Sequence, residues 1–388
     1  MKTEIPEGYK NTPVGIIPEE WEVRKLGEIC TNFKSGQNIT SKYITYSDRY
    51  PVYGGNGLRG YTNSFTHSGD HILIGRQGAL CGNINFVSGE NFISEHAIAV
   101  KTDLNNDIRF WALKLDYLNL NRLSESSAQP GLSVEKLIKL KVSIPPLPEQ
   151  HKIAEILSMW DVAIEKQTLL IEKLELRKRA LMQQLLTGKK RLKGFDGIVK
   201  KQQLKSYLLE ISSRNSDNAI TNVLSVTNSR GFISQSELFE RVVASEDVSK
   251  YKIVRQGQFA YNPSRINVGS LDMLKHVDHG ILSPMYVVFE TNRDHLNPNF
   301  LFYHLKSESF TKRIPMYVQG SVRDSLSFDG LTAMKFYIPT LPEQIAIAEI
   351  LSIADKEIDS ARVKLGLIKL QKQGLMQILL NGRTRVKI

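Results

Sequence analysis

One passage of this sequence occurs twice, and the distance between the two copies constrains the fold more than any other feature. Residues 144–158 have the sequence IPPLPEQHKIAEILS, and residues 338–352, 194 positions later, have the sequence IPTLPEQIAIAEILS. At this offset, without gaps, 23 of the 49 positions from Ile144 to Leu192 are identical to those from Ile338 to Val386. This distance is too long for the stacked short units of a solenoid, so the repeat indicates a duplicated domain.

The duplication predicts four consecutive segments, in which variable domains alternate with repeated helical segments. Their predicted boundaries are 1–143 for the first variable domain, 144–190 for the first helical segment, 191–337 for the second variable domain and 338–388 for the second helical segment. In the variable domains, short β-branched and aromatic runs are broken by Gly, Asn and Ser, which is typical of mixed α/β structure. We therefore predict an α+β fold with a pseudo-twofold internal repeat.

The two variable domains retain a weaker similarity to each other in one glycine-rich stretch. Residues 69–82, GDHILIGRQGALCG, can be aligned with residues 257–269, GQFAYNPSRINVG, after small shifts. This alignment pairs Gly69 with Gly257, Arg76 with Arg265, and Gly82 with Gly269. We therefore expect the two domains to share a loop flanked by glycines.

Each repeated segment predicts one helix of about 40 residues. Pro148 and Pro342 suit the first turn of a helix, and the glutamate that follows each of them favours the positive end of the helix dipole. Gly188 and Gly382 suit the C-terminal end, because glycine adopts the left-handed backbone conformation common there. The repeated segments thus have both helix-start and helix-stop signals.

Between these ends, mainly apolar residues follow a strict 4-3 spacing, which is typical of a coiled coil. The predicted seam of the first helix consists of Ile153, Leu157, Trp160, Ile164, Gln167, Ile171, Leu174, Lys178, Leu181 and Leu185. The predicted seam of the second helix consists of Ile347, Leu351, Ala354, Ile358, Ala361, Leu365, Ile368, Lys372, Leu375 and Leu379. The alternative is that both are ordinary core helices, buried in separate domains.

The two lysines in the seam indicate the direction of pairing. A parallel, in-register pair would oppose Lys178 to Lys372 in one core layer, which is costly unless both side chains turn outward. Antiparallel pairing places Lys178 beside the small Ala354 and Lys372 beside Trp160, whose ring can bind a cation. We therefore predict an antiparallel coiled coil. With about 40 residues in each helix, its length would be roughly 60 Å.

Composition limits the class of protein and its partners. The N-terminus has no apolar core of signal-peptide length, and no run of about 18 apolar residues suits a membrane span, so we expect a cytoplasmic protein. Cys30 and Cys81 have no CxxC spacing and the histidines are scattered, so neither a disulfide, a metal site nor a cofactor is predicted. The net charge of +11 favours a polyanionic partner such as DNA or RNA.

Motifs of catalysis are incomplete in this sequence. YGGNGLRGY at residues 53–61 contains G-x-G-x-x-G, but neither a helix nor an acidic residue about 20 positions later follows, so it predicts a hairpin or recognition loop. AYNPSRI at residues 260–266 has only the first half of the motif with which amino-methyltransferases hold a base. No phosphate-binding loop or nuclease cluster is evident. We therefore expect a non-catalytic protein.

Three groups of residues resemble the DNA specificity subunit of type I restriction-modification systems. They are the LPEQ…IAEIL…LMQ.LL.G pattern that ends each half, NTPVGIIPEEWEVRKLGEI at residues 11–29, and PVYGGNGLRGY…GDHILIGRQGALCG in the first variable domain. The resemblance covers nearly the whole chain. The second variable domain departs from the family pattern, because IVKKQQLKSYLLEI follows RLKGFDG where Glu-Trp is expected.

The resemblance implies a subunit in which two target recognition domains bind the two halves of a split double-stranded DNA site. The helices would separate these domains and bind methyltransferase subunits, which we expect in two copies. The coiled-coil length of roughly 60 Å limits the separation of the domains to under two DNA turns, and we expect half-sites about one turn apart because the domains need not lie at its tips. The complex would also contain restriction and translocase subunits. Adenine methylation with S-adenosylmethionine and ATP-dependent cleavage would belong to those other subunits. The alternatives are a specificity module of another methyltransferase or nuclease system, a single-chain methyltransferase or nuclease fragment, and a coiled-coil scaffold that binds no nucleic acid.

Base recognition requires side chains with paired hydrogen-bonding groups on accessible loops, namely Arg for guanine and Asn or Gln for adenine. In the first domain the candidates are Asn56, Arg59, Tyr61, Arg76 and Gln77. In the second domain they are Tyr261, Asn262, Ser264, Arg265, Asn267 and Arg323. The candidate phosphate contacts are Lys34, Lys42 and Lys205. For each of these residues the alternative is a solvated or turn-forming side chain.

Overall fold

The computed structural model describes residues 5–124, 131–197, 199–238, 247–318 and 325–388. The chain forms two units. Unit 1 consists of two parts of the chain, one up to Thr168 and one from Val363 to Ile388, and unit 2 comprises Leu169–Arg362. Each unit therefore contains one variable domain, the first part of one long helix and the last part of the other. Within the described residues, no helix combines the length and apolarity needed to cross a membrane.

In its described residues, the variable domain of unit 1 contains short strands and three short α-helices. The strands are β1 (Tyr9–Thr12), β2 (Gly15–Pro18), β3 (Glu22–Lys25), β4 (Cys30–Ser35), β5 (Tyr50–Gly54), β6 (Gly57–Thr62), β7 (His71–Gly75), β8 (Ile84–Val87), β9 (Phe92–Ile93), β10 (Ala97–Thr102) and β11 (Lys141–Ile144). The helices are α1 (Leu26–Ile29), α2 (Ile108–Tyr117) and α3 (Val134–Lys139). β4, β10, β7 and β8 form an antiparallel sheet in that order, while β6, β5 and β9 form a second sheet.

The second variable domain belongs to unit 2 and lies between the two long helices in the sequence. It follows α4 (Leu147–Leu185), which begins in unit 1. Its strands are β12 (Lys200–Gln203), β13 (Leu208–Ile211), β14 (Leu224–Thr227), β15 (Gly231–Ser234), β16 (Lys252–Arg255), β17 (Phe259–Tyr261), β18 (Leu271–Met273), β19 (His279–Leu282), β20 (Val287–Thr291) and β21 (Lys335–Ile338). Its helices are α5 (Gln235–Leu238), α6 (Pro298–Leu305), α7 (Glu308–Arg313) and α8 (Phe328–Ala333), after which α9 (Leu341–Leu379) returns to unit 1.

The internal repeat extends into the variable domains. The sheet of unit 2 has the strand order β13-β20-β17-β18, which matches β4-β10-β7-β8 of unit 1. The antiparallel pair of β12 and β21 likewise matches the pair of β3 and β11. The α+β fold and the pseudo-twofold repeat predicted from the sequence are therefore confirmed.

The two long helices pair in antiparallel fashion. In unit 1, the start of α4, with Ile153 and Leu157, shares a hydrophobic core with Leu379 at the end of α9. In unit 2, the end of α4, with Leu185, shares a core with Ile347 at the start of α9. Every seam residue named above is buried or half-buried, as a coiled-coil seam requires. The predicted antiparallel coiled coil is confirmed.

The partners of the two seam lysines differ from the prediction. Lys372 Nζ lies 2.6 Å from Asp161 Oδ1 in unit 1, and Lys178 forms an ion pair with Asp355 in unit 2. The register predicted from the seam placed Ala354 and Trp160 there, each one residue away from the observed partner. A carboxylate neutralises each seam lysine directly. Lys178 Nζ also lies 5.6 Å from the ring centroid of Tyr303 on α6, an aromatic neighbour that the seam register did not predict.

The glutamines of the repeated LPEQ motif connect each long helix to the variable domain before it. The buried Gln150 side chain accepts a hydrogen bond from the backbone N–H of Asp107, at 3.0 Å, and Asp107 is the N-cap of α2. Gln344 accepts the equivalent bond, at 2.8 Å, from the N–H of Asn297, the N-cap of α6. The motif is repeated because the same helix-to-domain junction is built twice.

The glutamates of the same motif form buried ion pairs. Glu149 accepts a hydrogen bond from Arg385 Nε at 2.8 Å and another from Trp21 Nε1 at 3.0 Å. Glu343 accepts two bonds from Arg191, at 2.7 and 2.6 Å. Each arginine follows the end of one long helix and each glutamate lies at the start of the other. Both ends of the antiparallel pair are therefore fastened by charge as well as by apolar packing.

Candidate nucleic-acid interface

Three loops of unit 1 meet at one end of the four-stranded sheet. They are the β5–β6 turn, the loop of residues 75–82, which starts at the last residue of β7, and residues 94–96 before β10. A Cβ atom on Gly55 would lie 2.7 Å from the carbonyl oxygen of His96 and 3.0 Å from Gly75 Cα, so only glycine fits this contact. The backbone N–H of Arg76 donates a 3.0 Å hydrogen bond to the same His96 oxygen. We call these three loops the loop cluster of unit 1.

The loop cluster carries most of the candidate base contacts of the first domain. Asn56 lies in the β5–β6 turn, Arg59 lies on β6, and Arg76 and Gln77 lie in the loop after β7; all four side chains are exposed. Arg76 Nη1 donates a 3.2 Å hydrogen bond to Ser35 Oγ, which orients the guanidinium group without burying it. The structure thus brings together residues that lie up to 21 positions apart in the sequence.

Tyr61 and two of the candidate phosphate contacts lie beside this cluster. The half-buried Tyr61 is on β6, and Lys34 is exposed on β4, next to Ser35. Lys42 is exposed in a 3-10 turn before β5. The third candidate, Lys205, is exposed in unit 2, in the turn that precedes β13.

The loop cluster also contains residues that sequence reasoning missed. Glu95 Oε1 lies 3.2 Å from Nε2 of the exposed His96. Among the described residues, Ser94 Oγ, Glu95 Oε2 and Asn85 Nδ2 are buried atoms without a hydrogen-bond partner. The signal that was available is the polar sequence SEH directly before the apolar run of β10. A polar segment that precedes a strand pairing with β7 must lie near the end of β7.

Unit 2 contains a loop of the same length as residues 75–82 of unit 1, held by an equivalent backbone hydrogen bond. Residues 262–269 after β17 correspond to residues 75–82, and both loops end in a glycine with positive φ, 85° at Gly82 and 90° at Gly269. In unit 1, Leu132 N–H donates to the carbonyl oxygen of Arg76 at 3.0 Å; in unit 2, Leu326 N–H donates to that of Pro263 at 3.1 Å. Pro263 therefore occupies the position of Arg76, and the sequence alignment of Arg76 with Arg265 was wrong by two residues.

The candidate residues of unit 2 divide into exposed and buried groups. Ser264, Arg265 and Asn267 are exposed in the loop. Asn262 is buried, and its Oδ1 accepts a 3.1 Å hydrogen bond from the N–H of Ser264, so this side chain shapes the loop. Arg323 lies outside the described residues.

Tyr261 is a correction to the candidate set. Its side chain is 0% exposed, and its ring centroid lies 6.1 Å from that of Phe289 in the hydrophobic core. Burial raises the pKa of the Tyr261 hydroxyl, and Glu210 and Asp329 contribute in the same direction. Tyr261 occupies the core because all three residues of β17 are buried, and it offers no surface to DNA.

The β14–β15 turn of unit 2 is a further part of the candidate interface that sequence reasoning missed. A Cβ atom on Gly269 would collide with the Asn228 side chain, and one on Gly231 would collide with that of Asp272. The turn therefore lies directly on the loop of residues 262–269, as the β5–β6 turn lies on its counterpart. It exposes Asn228 and Arg230. The sequence LSVTNSRGFIS, with turn-forming residues between two apolar runs, could have indicated this hairpin.

A sequence profile of the type I restriction modification DNA specificity domain matches residues 18–176 and 247–368. The chain belongs to this family. The family resemblance seen in the sequence is therefore confirmed, and both loops after β7 and β17 lie inside the matched regions. The second match begins at residue 247, so β12 to β15 lie before it, in the region where Glu-Trp of the family pattern is absent.

Individual relatives agree with membership of the specificity family. The EcoprrI specificity subunit of Escherichia coli is 41% identical over 159 residues, which cover 39% of this chain and 39% of that subunit. The MjaVIII specificity subunit of Methanocaldococcus jannaschii is 26% identical over 98% of this chain and 97% of that one. The crystal structure of the S subunit from M. genitalium has the same fold, with a TM-score of 0.62 and 16% identity over 95% of this chain and 96% of that one.

Proposed function

We propose that this chain is the non-catalytic DNA-binding subunit of a type I restriction-modification complex, and that each unit recognises one half of a bipartite site. The observation that carries the proposal is the duplicated loop. The two loops have the same length, the same closing glycine and the same backbone hydrogen bond, but different exposed side chains. A constant framework that presents different polar groups suits two domains that recognise different base sequences.

The exposed groups fit direct recognition of bases in the major groove. An arginine can donate two hydrogen bonds to guanine, and an asparagine or glutamine can form a pair of bonds with adenine. The proposed contacts of unit 1 are Asn56, Arg59, Arg76 and Gln77, with Tyr61 beside them. Those of unit 2 are Ser264, Arg265 and Asn267, together with Asn228 and Arg230 from the β14–β15 turn. The net charge of +11 supports contact with phosphates by Lys34, Lys42 and Lys205.

The long helices offer surfaces for the methyltransferase subunits. Outside the seam, both copies of the repeat expose apolar side chains at matched positions. These pairs are Met159 and Ile353, Leu169 and Val363, and Leu176 and Leu370. Exposed apolar side chains that recur in a duplicated helix indicate a partner bound twice, so we propose two methyltransferase subunits per chain. Methylation and ATP-dependent cleavage would then be carried out by the methyltransferase and restriction subunits in the cytoplasm.

The proposal is tested by mapping methylated adenines in the genome of a host that expresses this chain with its methyltransferase subunit. We expect one split recognition sequence with two defined halves. Exchange of residues 17–143 for the matching domain of a relative should change one half and leave the other intact, because each domain contacts only its own half. A change in both halves would contradict the division of recognition between the units. Methyl transfer by the purified chain alone would instead support a single-chain methyltransferase.

A further inference from the structure

The segment of residues 38–49, between β4 and β5, carries exposed aromatic rings among cations; we call it the arm. Tyr46 is fully exposed and Tyr43 is 59% exposed, while Lys42 and Arg49 are exposed near them. Among the described residues these two tyrosines are the most exposed aromatic side chains. Neighbouring exposed apolar side chains rimmed by polar residues often mark a binding surface. The arm therefore differs from an ordinary polar loop.

The arm is held against the strand that carries Arg59. Thr45 and Tyr61 exchange two backbone hydrogen bonds, of 2.8 and 2.9 Å, which attach the arm to β6. A Cβ atom on Gly60 would lie 2.6 Å from Ile44 Cγ2 and 2.7 Å from the carbonyl oxygen of Thr45, so glycine is required beneath the arm. The arm and the β5–β6 turn are thus continuous parts of one surface of unit 1.

The cations of the arm are associated with rings rather than with carboxylates. Lys42 Nζ lies 4.7 Å from the ring centroid of Tyr43, and the Arg49 guanidinium carbon lies 5.0 Å from that of Tyr50. Within the described part of the chain, neither cation forms an ion pair, and the arm's Asp48 side chain instead accepts a hydrogen bond from the Arg49 N–H at 2.7 Å. Both positive charges therefore remain available to an anionic partner.

The equivalent segment of unit 2 differs from the arm in composition. The corresponding segment between β13 and β14 has the sequence SSRNSDNAITNV, which contains one arginine and no aromatic residue. Arg214 of this segment donates to the carbonyl oxygen of Lys250 at 3.4 Å, and the buried Asn215 side chain bonds to the backbone of Ile220. Of these two corresponding segments, only the arm of unit 1 contains aromatic residues and more than one cation.

We propose that the arm binds duplex DNA next to the half-site recognised by unit 1, so that the two halves of the protein bind DNA asymmetrically. Tyr43 and Tyr46 would pack on deoxyriboses, while Lys42 and Arg49 would neutralise phosphates. None of these groups would select a base, so the arm adds affinity without changing the recognised sequence. This inference rests on the proposed function. Duplex DNA is favoured over a protein partner because two of the arm's three charged side chains, Lys42 and Arg49, are positive and flank the rings.

The test compares variants of the full chain, in complex with its methyltransferase subunit, on a duplex that contains the mapped site. Tyr43→Ala/Tyr46→Ala should weaken binding by roughly tenfold, without changing the salt dependence, since it removes packing and no charge. Lys42→Gln/Arg49→Gln should reduce the slope of log affinity against log salt by about 1.8, because each phosphate contact contributes about 0.9. The matched control is Arg214→Gln in unit 2, which should leave both quantities unchanged.

Hydroxyl-radical footprinting on the same complexes locates the contact. We expect a protected stretch next to the unit 1 half-site that is lost in the tyrosine double variant, while protection at the other half-site and the methylated sequence stay the same. A footprint and salt slope equal to those of the unaltered complex would overturn the arm proposal and leave the proposed function standing. Loss of methyltransferase assembly would also overturn it, in favour of a protein partner. An unaltered complex that binds no specific site would overturn both proposals.

Discussion

The buried ion pair between Glu149 and Arg385 allows a prediction in which the cost depends on which partner is removed. The Glu149 carboxylate is 0% exposed, whereas the Arg385 side chain is 34% exposed and also contacts Glu20 at 2.6 Å. Arg385→Gln leaves a buried carboxylate with one remaining hydrogen bond, from Trp21. Glu149→Gln leaves an arginine that water and Glu20 can still solvate, and the new amide oxygen can still accept the Trp21 bond.

These differences determine how much each variant should lower the free energy of unfolding. Removing one partner of a buried pair costs about 3 to 5 kcal/mol when the other charge stays buried, so Arg385→Gln should destabilise unit 1 by about that amount. Glu149→Gln exchanges a charged hydrogen bond for a neutral one and should cost about 1 to 2 kcal/mol. The double variant should be more stable than Arg385→Gln alone, because it contains no unpaired buried charge.

The free energy of unfolding of unit 1 can be measured for each variant by urea unfolding, with tryptophan fluorescence as the signal. All three tryptophans of the chain, Trp21, Trp111 and Trp160, belong to that unit. The matched control is Arg191→Gln, which breaks the equivalent pair with Glu343 in unit 2 and should leave the fluorescence transition nearly unchanged. A larger loss from Glu149→Gln than from Arg385→Gln, or full additivity in the double variant, would refute the reasoning.

Three further predictions concern the loops and one buried lysine. Arg76→Ala and Arg265→Ala should each lower specific affinity about 5- to 150-fold and relax one base position in their own half-site; equal loss on all sequences in binding assays would instead mark a phosphate contact. Gly55→Ala should impair only the unit 1 half-site in methylation maps, since its Cβ would lie 2.7 Å from a backbone oxygen. Burial lowers the pKa of Lys114 to about 7 from its ordinary 10.5, so the unfolded chain binds more protons between those values. The stability of unit 1, measured by fluorescence, should therefore rise from pH 7 to 9, and rise less in Lys114→Met.

The long helices and their direction could be predicted from the sequence alone. Helical periodicity is local, so the 4-3 spacing and the glycines that follow each helix define both elements without knowledge of the rest of the chain. Gly188 and Gly382 have the expected positive φ, 70° and 68°. The antiparallel direction followed from a single unfavourable contact, Lys178 against Lys372, because like charges in one layer of a seam disfavour the parallel arrangement.

The function of the repeated LPEQ motif could not be inferred in the same way. Its Glu and Gln side chains are buried and bond to Arg385 and to the N-cap residue Asp107, which lie far from them in sequence. In the sequence they are polar residues at the start of a helix, a position that is usually exposed to solvent. The favourable interaction of the glutamate with the helix dipole already accounts for its presence there, so nothing in the sequence indicates that these side chains are buried. Only the packed structure shows that they fasten the helices to each other and to the variable domains.

The candidate nucleic-acid interface likewise combines features that are local in the sequence with features that depend on long-range contacts. Glycine-flanked loops with Arg, Asn and Gln could be found from composition, and the structure brings Asn56 and Arg76 to one surface. The burial of Tyr261, the presence of His96 in the loop cluster and the equivalence of Arg76 with Pro263 depend on which strands pair and which faces are covered. Strand pairing joins residues distant in the chain, and a shift of one residue exchanges the buried and exposed faces, so these features were decided by tertiary structure.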